Sequence, residues 1–224
     1  MATQREIDLN KLKENLLKMG GAVEDAIRKA IKALVERDSA LAQTVIDGDV
    51  IINDFDVEIE EGSIRFLALY QPTGSNLRFV TTIIKIITDL ERMGDLAVDI
   101  CERVVELFEE PPLKPYIDLP RMAEASQQML KQSLDAFLGN NADLAMQVCE
   151  ADDFVDNLNQ QIFNELLLYM LKDPHTISRA VRLIAIAKYL ERIADHSTNI
   201  AEMVVYMVKG KVIRHMACET KQKK

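Results

Sequence analysis

Acidic side chains at four-residue spacing hold the plainest chemical potential in this sequence. Leu90-Glu91-Arg92-Met93-Gly94-Asp95-Leu96-Ala97-Val98-Asp99-Ile100 returns 100 residues later as Leu190-Glu191-Arg192-Ile193-Ala194-Asp195-His196-Ser197-Thr198-Asn199-Ile200. Both copies lie in long runs with apolar residues at helical spacing, which predicts the middle of an amphipathic helix. At about 100° per residue, Glu91, Asp95, Asp99, Glu102 and Glu106 share a strip roughly 80° wide. The strip borders an apolar face carrying Ile84, Leu90, Ala97, Cys101, Val105 and Phe108. Glu191, Asp195, Asn199 and Glu202 repeat it.

Like charges four apart on a helix cost about 0.2–0.5 kcal/mol per pair, so Glu91–Asp95, Asp95–Asp99 and Glu102–Glu106 need an offset. One offset is ordinary solvation, with Arg92, Arg103 and Arg192 screening the face. Repetition at a fixed interval, each time at the rim of an apolar face, points to another: carboxylates stacked to hold a hard or borderline cation. A second strip supplies partners for the first. Asp49, Asn53, Asp56 and Glu60 precede the first copy, and Asp152, Asp156 and Asn159 hold the matching places before the second. The expected metal ligands are therefore Asp49, Asp56, Glu91, Asp95 and Asp99 in one half, and Asp152, Asp156, Glu191, Asp195 and Asn199 in the other. Oxygen donors of this kind suit iron, Mn²⁺ or Mg²⁺, singly or as a multinuclear group, and suit zinc less well without His or Cys. His175, His196 and His215 each lack a Glu three residues earlier, so the paired E-x-x-H pattern of carboxylate di-iron enzymes is missing. No catalytic residue is expected, and His196 reads as a surface neighbour of Asp195.

The elements that must position these acids are long helices. The chain has 224 residues, 48% of them hydrophobic, with 8 Gly, 6 Pro and no Trp, and no period-2 strand bounded by turn signals. Helix one is expected over about residues 6–37, helix two over 40–70 after the N-cap pair Asp38-Ser39, and helix three over 76–109. Pro111, Pro112, Pro115 and Pro120 mark a connection, after which helices four to six run over about 121–138, to 172 and to 209, stopped by Gly210. The halves superpose in sequence. Met19 matches Met122, Asp49 matches Asp152, Asn53 matches Asp156 and Ile59 matches Ile162 at an offset of 103, which shortens to 100 at Glu91 and Glu191. The expected fold is all α: two tandem, pseudo-symmetric three-helix bundles, residues 1–112 and 118–212, with a basic tail over 213–224.

A net charge of −9 argues against nucleic acid as a partner. The tail, with Lys221, Lys223 and Lys224, could add modest attraction to a membrane surface. Three cysteines without C-x-x-C spacing point to a reducing compartment, with Cys101 and Cys149 as small core residues. Without a signal-like N-terminus or an apolar span, a cytoplasmic location is expected.

At these residues the chain resembles the PhoU family of bacterial phosphate-transport and phosphate-signalling regulators. The resemblance rests on Met19-Gly20-Gly21, Gln71-Pro72-Thr73, both L-E-R-[IM]-[GA]-D copies, and Val208-Lys209-Gly210 with Arg214-His215. It implies two three-helix bundles and metal held at E-x-x-x-D motifs. It implies a negative regulator acting on the ATPase of a phosphate ABC transporter and on a phosphate-sensing histidine kinase, as a homodimer peripheral to the membrane. Where the family usually has Asp-Leu-Arg this chain has Asn76-Leu77-Arg78, and the second acidic copy ends in Asn199. The rival readings are a carboxylate-bridged metal enzyme acting on phosphate esters and a metal-free helical scaffold.

Overall fold

The computed structural model describes residues 3–210. The basic tail over 213–224, with His215 and Cys218, lies outside the described residues. Seven α-helices follow one another: α1 (Gln4–Glu36), α2 (Ser39–Gly48), α3 (Val50–Tyr70), α4 (Gly74–Phe108), α5 (Asp118–Gly139), α6 (Ala142–Lys172) and α7 (Ile177–Lys209). No strand occurs among the described residues, so the all-α expectation holds.

Local sequence accounts for the breaks. Thr3 and Glu6 form a capping box at the start of α1. The Asp38 carboxylate accepts from the Leu41 amide at 2.9 Å, which starts α2, and Asn141 accepts from Asp143 and Leu144 to start α6. Gly210 closes α7 at φ 66°, a left-handed value that glycine adopts without a steric penalty. The single helix expected over 40–70 is two. At Asp49 the ladder tightens, the Asp49 amide donating to Ile46 at 3.4 Å and the Ile52 amide to Asp49 at 2.9 Å. Gly48 permits the bend, and the second half, with Ala151 at that place, runs unbroken through α6.

In the first half α1, α2–α3 and α4 pack together, and in the second α5, α6 and α7 do. The halves meet along α4 against α7 and α1 against α5, and one continuous core runs through both. Its centre is Leu90, Met93, Ala97 and Ile100 from α4 with Leu190, Ile193, Ala194 and Ile200 from α7, all inaccessible to solvent. Val105 and Phe108, expected on this face, are exposed, as are Ile7 and Ile64, because each helix turns its apolar stripe toward whichever neighbour covers it. The Phe79 and Phe137 rings stack at 4.8 Å, tying α4 to α5. Gly20 lets α1 approach α5, since a Cβ there would stand 2.4 Å from Leu134 Cδ1.

Three arginines fasten the connection between the halves. Arg37 donates to the Phe108 and Glu110 carbonyls, both at 2.7 Å. Arg179 donates to the Pro111 carbonyl at 3.0 Å, and Arg182 to Glu106 at 2.7 Å. Among the described residues no helix is long and apolar enough to cross a membrane.

Candidate metal centre

The bend at Asp49 brings the acids of the first half together. Asp49 sits at the α2–α3 junction, and its other neighbours on that strip, Asn53 and Asp56, follow on α3. The Asn53 amide donates to Asp49 Oδ2 at 2.8 Å. On α4 the opposing residue is Gly94, where a Cβ would lie 3.2 Å from Asp49 Oδ1 and 3.0 Å from Ile52 Cδ1. Glycine therefore sets how closely α4 can carry Glu91 and Asp95 toward Asp49.

The electrostatics record the same convergence. Burial raises the Asp49 carboxyl above its ordinary value; the Asn53 hydrogen bond opposes this and the nearby Asp95 charge adds to it. Burial also raises Glu91, with Asp95 the next cause, Arg92 opposing, and Asp56 and Asp49 adding to the rise. Asp56 is raised by burial and then by Glu60. Arg92 reaches both Glu91, at 3.5 Å, and Asp95, at 3.4 Å, from an exposed position. Such pairs contribute little in water, so charge on this face is incompletely offset.

Asp99 goes elsewhere. One turn beyond Asp95, it is raised by burial, Glu102 and Asp95, and lowered by Arg103 and by Arg192 across the seam from α7. The second half repeats the pattern with differences. Asp195 is raised by burial and by Glu191, opposed by Lys188, raised further by Asp156 on α6, and lowered by His196. Glu191 is ion-paired with Lys188. Burial pushes the Cys149 thiol up to about 11, with the charges of Glu202 and then Asp152 adding to the rise. Asn199 turns to the seam and donates to Asp89 at 3.4 Å. His196 is no free surface neighbour: its Nδ1 lies 2.8 Å from Asp89 Oδ1, with both side chains largely covered. Sequence reasoning passed over Asp89 because it has no counterpart in the second copy, where Tyr189 stands.

The structure thus gathers Asp49, Asp56, Glu91 and Asp95 in one half, and Asp156, Glu191 and Asp195 in the other. Among the described residues no three His, Cys, Asp or Glu side chains close around one point at metal-ligand spacing. The donor chemistry, carboxylates with one amide on facing helices, fits a hard cation such as Mg²⁺, Mn²⁺ or iron and fits zinc poorly. Cys101, pushed up to about 12 by burial, is a core thiol and offers no thiolate ligand.

Gly94 gives a sharp test of this geometry. Gly94→Val is expected to lower stability by about 1–3 kcal/mol by wedging α4 from the α2–α3 junction. Urea unfolding measures it, and a variant as stable as the parent would show that the close approach is not required.

The PhoU domain family model matches residues 16–104 and 119–204, one match per half. A phosphate-specific transport system accessory protein PhoU homolog from Aquifex aeolicus is 44% identical over 214 residues, 96% of this chain and 97% of that protein. The Escherichia coli protein named phosphate-specific transport system accessory protein PhoU is 37% identical over 213 residues, covering 95% and 88% of the two chains. The crystal structure of PhoU from Pseudomonas aeruginosa superposes with a TM-score of 0.89 at 40% identity, covering 93% of this chain and all of that one. The phosphate transport system regulatory protein PhoU from Streptococcus pneumoniae gives 0.86 at 32% identity, over 93% and 99% of the two chains. With both halves matched in sequence and nearly the whole backbone in structure, this chain belongs to the PhoU family.

Proposed function

We propose that the protein is an accessory regulator of a phosphate transport system. In this reading it sits at the cytoplasmic side of the membrane, restrains the transporter and its sensor kinase when phosphate is plentiful, and carries metal on its acidic strips. The observation that supports the coarse reading is the end-to-end similarity to proteins bearing the accessory name. Deleting the gene from its host should switch on phosphate-starvation genes in phosphate-rich medium, with the protein co-purifying with transporter and kinase in the parent strain. Normal repression in the deletion strain, or turnover of a phosphate ester by the pure protein, would replace this reading.

The metal part rests on Asp49, Asp56, Glu91 and Asp95. These residues would hold a cation between α4 and the α2–α3 junction, and one bound there would supply charge neutralisation and cross-link two helices. The Asp95, Asp56 and Asp49 charges all act on Glu91, Asp49 is aligned by Asn53, and Gly94 keeps the approach short.

The raised carboxyls make a pH prediction with a definite sign. Asp49, Asp56, Glu91 and Asp99 all lie above their ordinary values in the fold. A folded state that holds protons more tightly than the unfolded one loses stability as pH rises through the raised values. The metal-free protein should therefore gain stability on acidification from neutrality toward the ordinary carboxylate range, and Mn²⁺ should flatten the slope at its neutral end. Melting temperature against pH, in chelator and in Mn²⁺, measures both effects. A slope identical in the parent and in a Glu91→Gln/Asp95→Asn variant would remove the strip as its source.

A further inference from the structure

The outer face of α6 differs from its counterpart in the first half chiefly in charge. At the offset of 103, residues 157–171 of α6 match 54–68 of α3. The α3 stretch carries Asp54, Asp56, Glu58, Glu60, Glu61 and Arg65. At four of those acidic places α6 has a neutral amide: Asn157 for Asp54, Asn159 for Asp56, Gln161 for Glu58 and Asn164 for Glu61. Phe163 stands for Glu60 and Leu168 for Arg65. Carboxylate and carboxamide side chains are alike in shape and differ in charge, so the second half keeps the polar surface and gives up the ions. Glu165 is the one charged residue left in the stretch, and it is ion-paired with Lys114.

An apolar line runs through these amides. Phe163, Leu167, Leu168 and Leu171 are 41%, 39%, 57% and 72% exposed, on the side of α6 turned away from the buried Leu158, Ile162 and Leu166. The exposed Asn157, Gln160 and Asn164 border them, the Gln160 amide donating to Asn164 at 3.2 Å. Such a face is cheap to dry. Its apolar side chains gain from leaving water, and an amide, which both donates and accepts, pairs across a contact without the desolvation of an ion. A chain of net charge −9 meets a second copy at the least electrostatic cost through a face that holds no unpaired charge.

We propose that α6 is the contact between two copies of this chain, laid antiparallel across a two-fold axis, with Phe163, Leu167 and Leu171 at its centre and Asn157, Gln160 and Asn164 along its edge. A two-fold contact uses the same patch on both copies, and amides suit it because each can give a hydrogen bond to its equivalent and take one back. At 1.5 Å per residue the stretch is about 20 Å long, the scale of the apolar centre of an interface that buries about 800 Å² per partner. The matching face of α3, with five acids and one arginine, would set like charges against each other in the same arrangement.

Sedimentation equilibrium of the full chain tests the assignment, and the expected mass is twice the 25.4 kDa of one chain. Leu167→Glu with Leu171→Glu, both at exposed positions, should keep the helical circular dichroism of the parent. It should raise the dimer dissociation constant by about a hundredfold or more, since every dimer loses the contact twice. Asn164→Glu, which restores the carboxylate of the first half, should raise it by about tenfold at low salt and by less at high salt, where the new charges are screened. Ile64→Glu, at the place of Leu167 on α3, should leave it unchanged. A parent that stays monomeric up to its solubility limit, a dimer that persists in the Leu167→Glu/Leu171→Glu variant, or equal weakening by Ile64→Glu would overturn the proposal.

Discussion

Phe137→Ala is expected to lower the unfolding free energy of the whole described chain by about 3–5 kcal/mol, the usual cost of deleting a buried aromatic ring. Phe137 belongs to α5 in the second half, is fully buried, and stacks on Phe79 of α4 in the first. Because the core is continuous from one half to the other, the loss should appear as one urea transition shifted to lower denaturant with its slope unchanged. Hydrogen exchange should show α1–α4 and α5–α7 losing protection together. Two resolved transitions, or loss confined to α5–α7, would mean that the halves fold as separate units.

The second large effect concerns the acids. Glu91→Gln with Asp95→Asn should raise the metal-free melting temperature by about 1–3 °C, since it removes like-charge contacts worth a few tenths of a kcal/mol each. The parent should instead gain about 5–10 °C at a metal concentration near one hundred times its dissociation constant, and the double variant should gain almost nothing. The order of stability would invert between chelator and metal. Equal responses in both proteins would leave the strip as a solvated face screened by Arg92.

Five of the six expected helices, the turns between them and the duplication were legible in the sequence, because Pro, Gly and capping residues punctuate stripes of regular apolar spacing. The bend at Asp49 was not, since Gly48 inside a helical pattern is tolerated as often as it breaks one. The grouping of Glu91 and Asp95 with Asp49 and Asp56 was legible from shared faces. The departure of Asp99 and Asn199 toward the seam was not. Their partners, Arg192 and Asp89, stand on helices from the opposite half, and a strip read along one helix carries no information about which neighbour lies across each turn. The same blindness put Val105 and Phe108 in the core.

α4 and α7 have 35 and 33 residues. At 1.5 Å per residue each is a rod about 50 Å long, and the repeated acidic motif sits at the middle of both. The two rods run antiparallel and are tied along their length, Arg78 to the Met207 carbonyl at one end, His196 to Asp89 near the middle and Arg182 to Glu106 at the other. Held at both ends and near the middle, the seam is a single beam rather than two independent helices, so a change of charge at the acidic motifs bears on the whole contact between the halves.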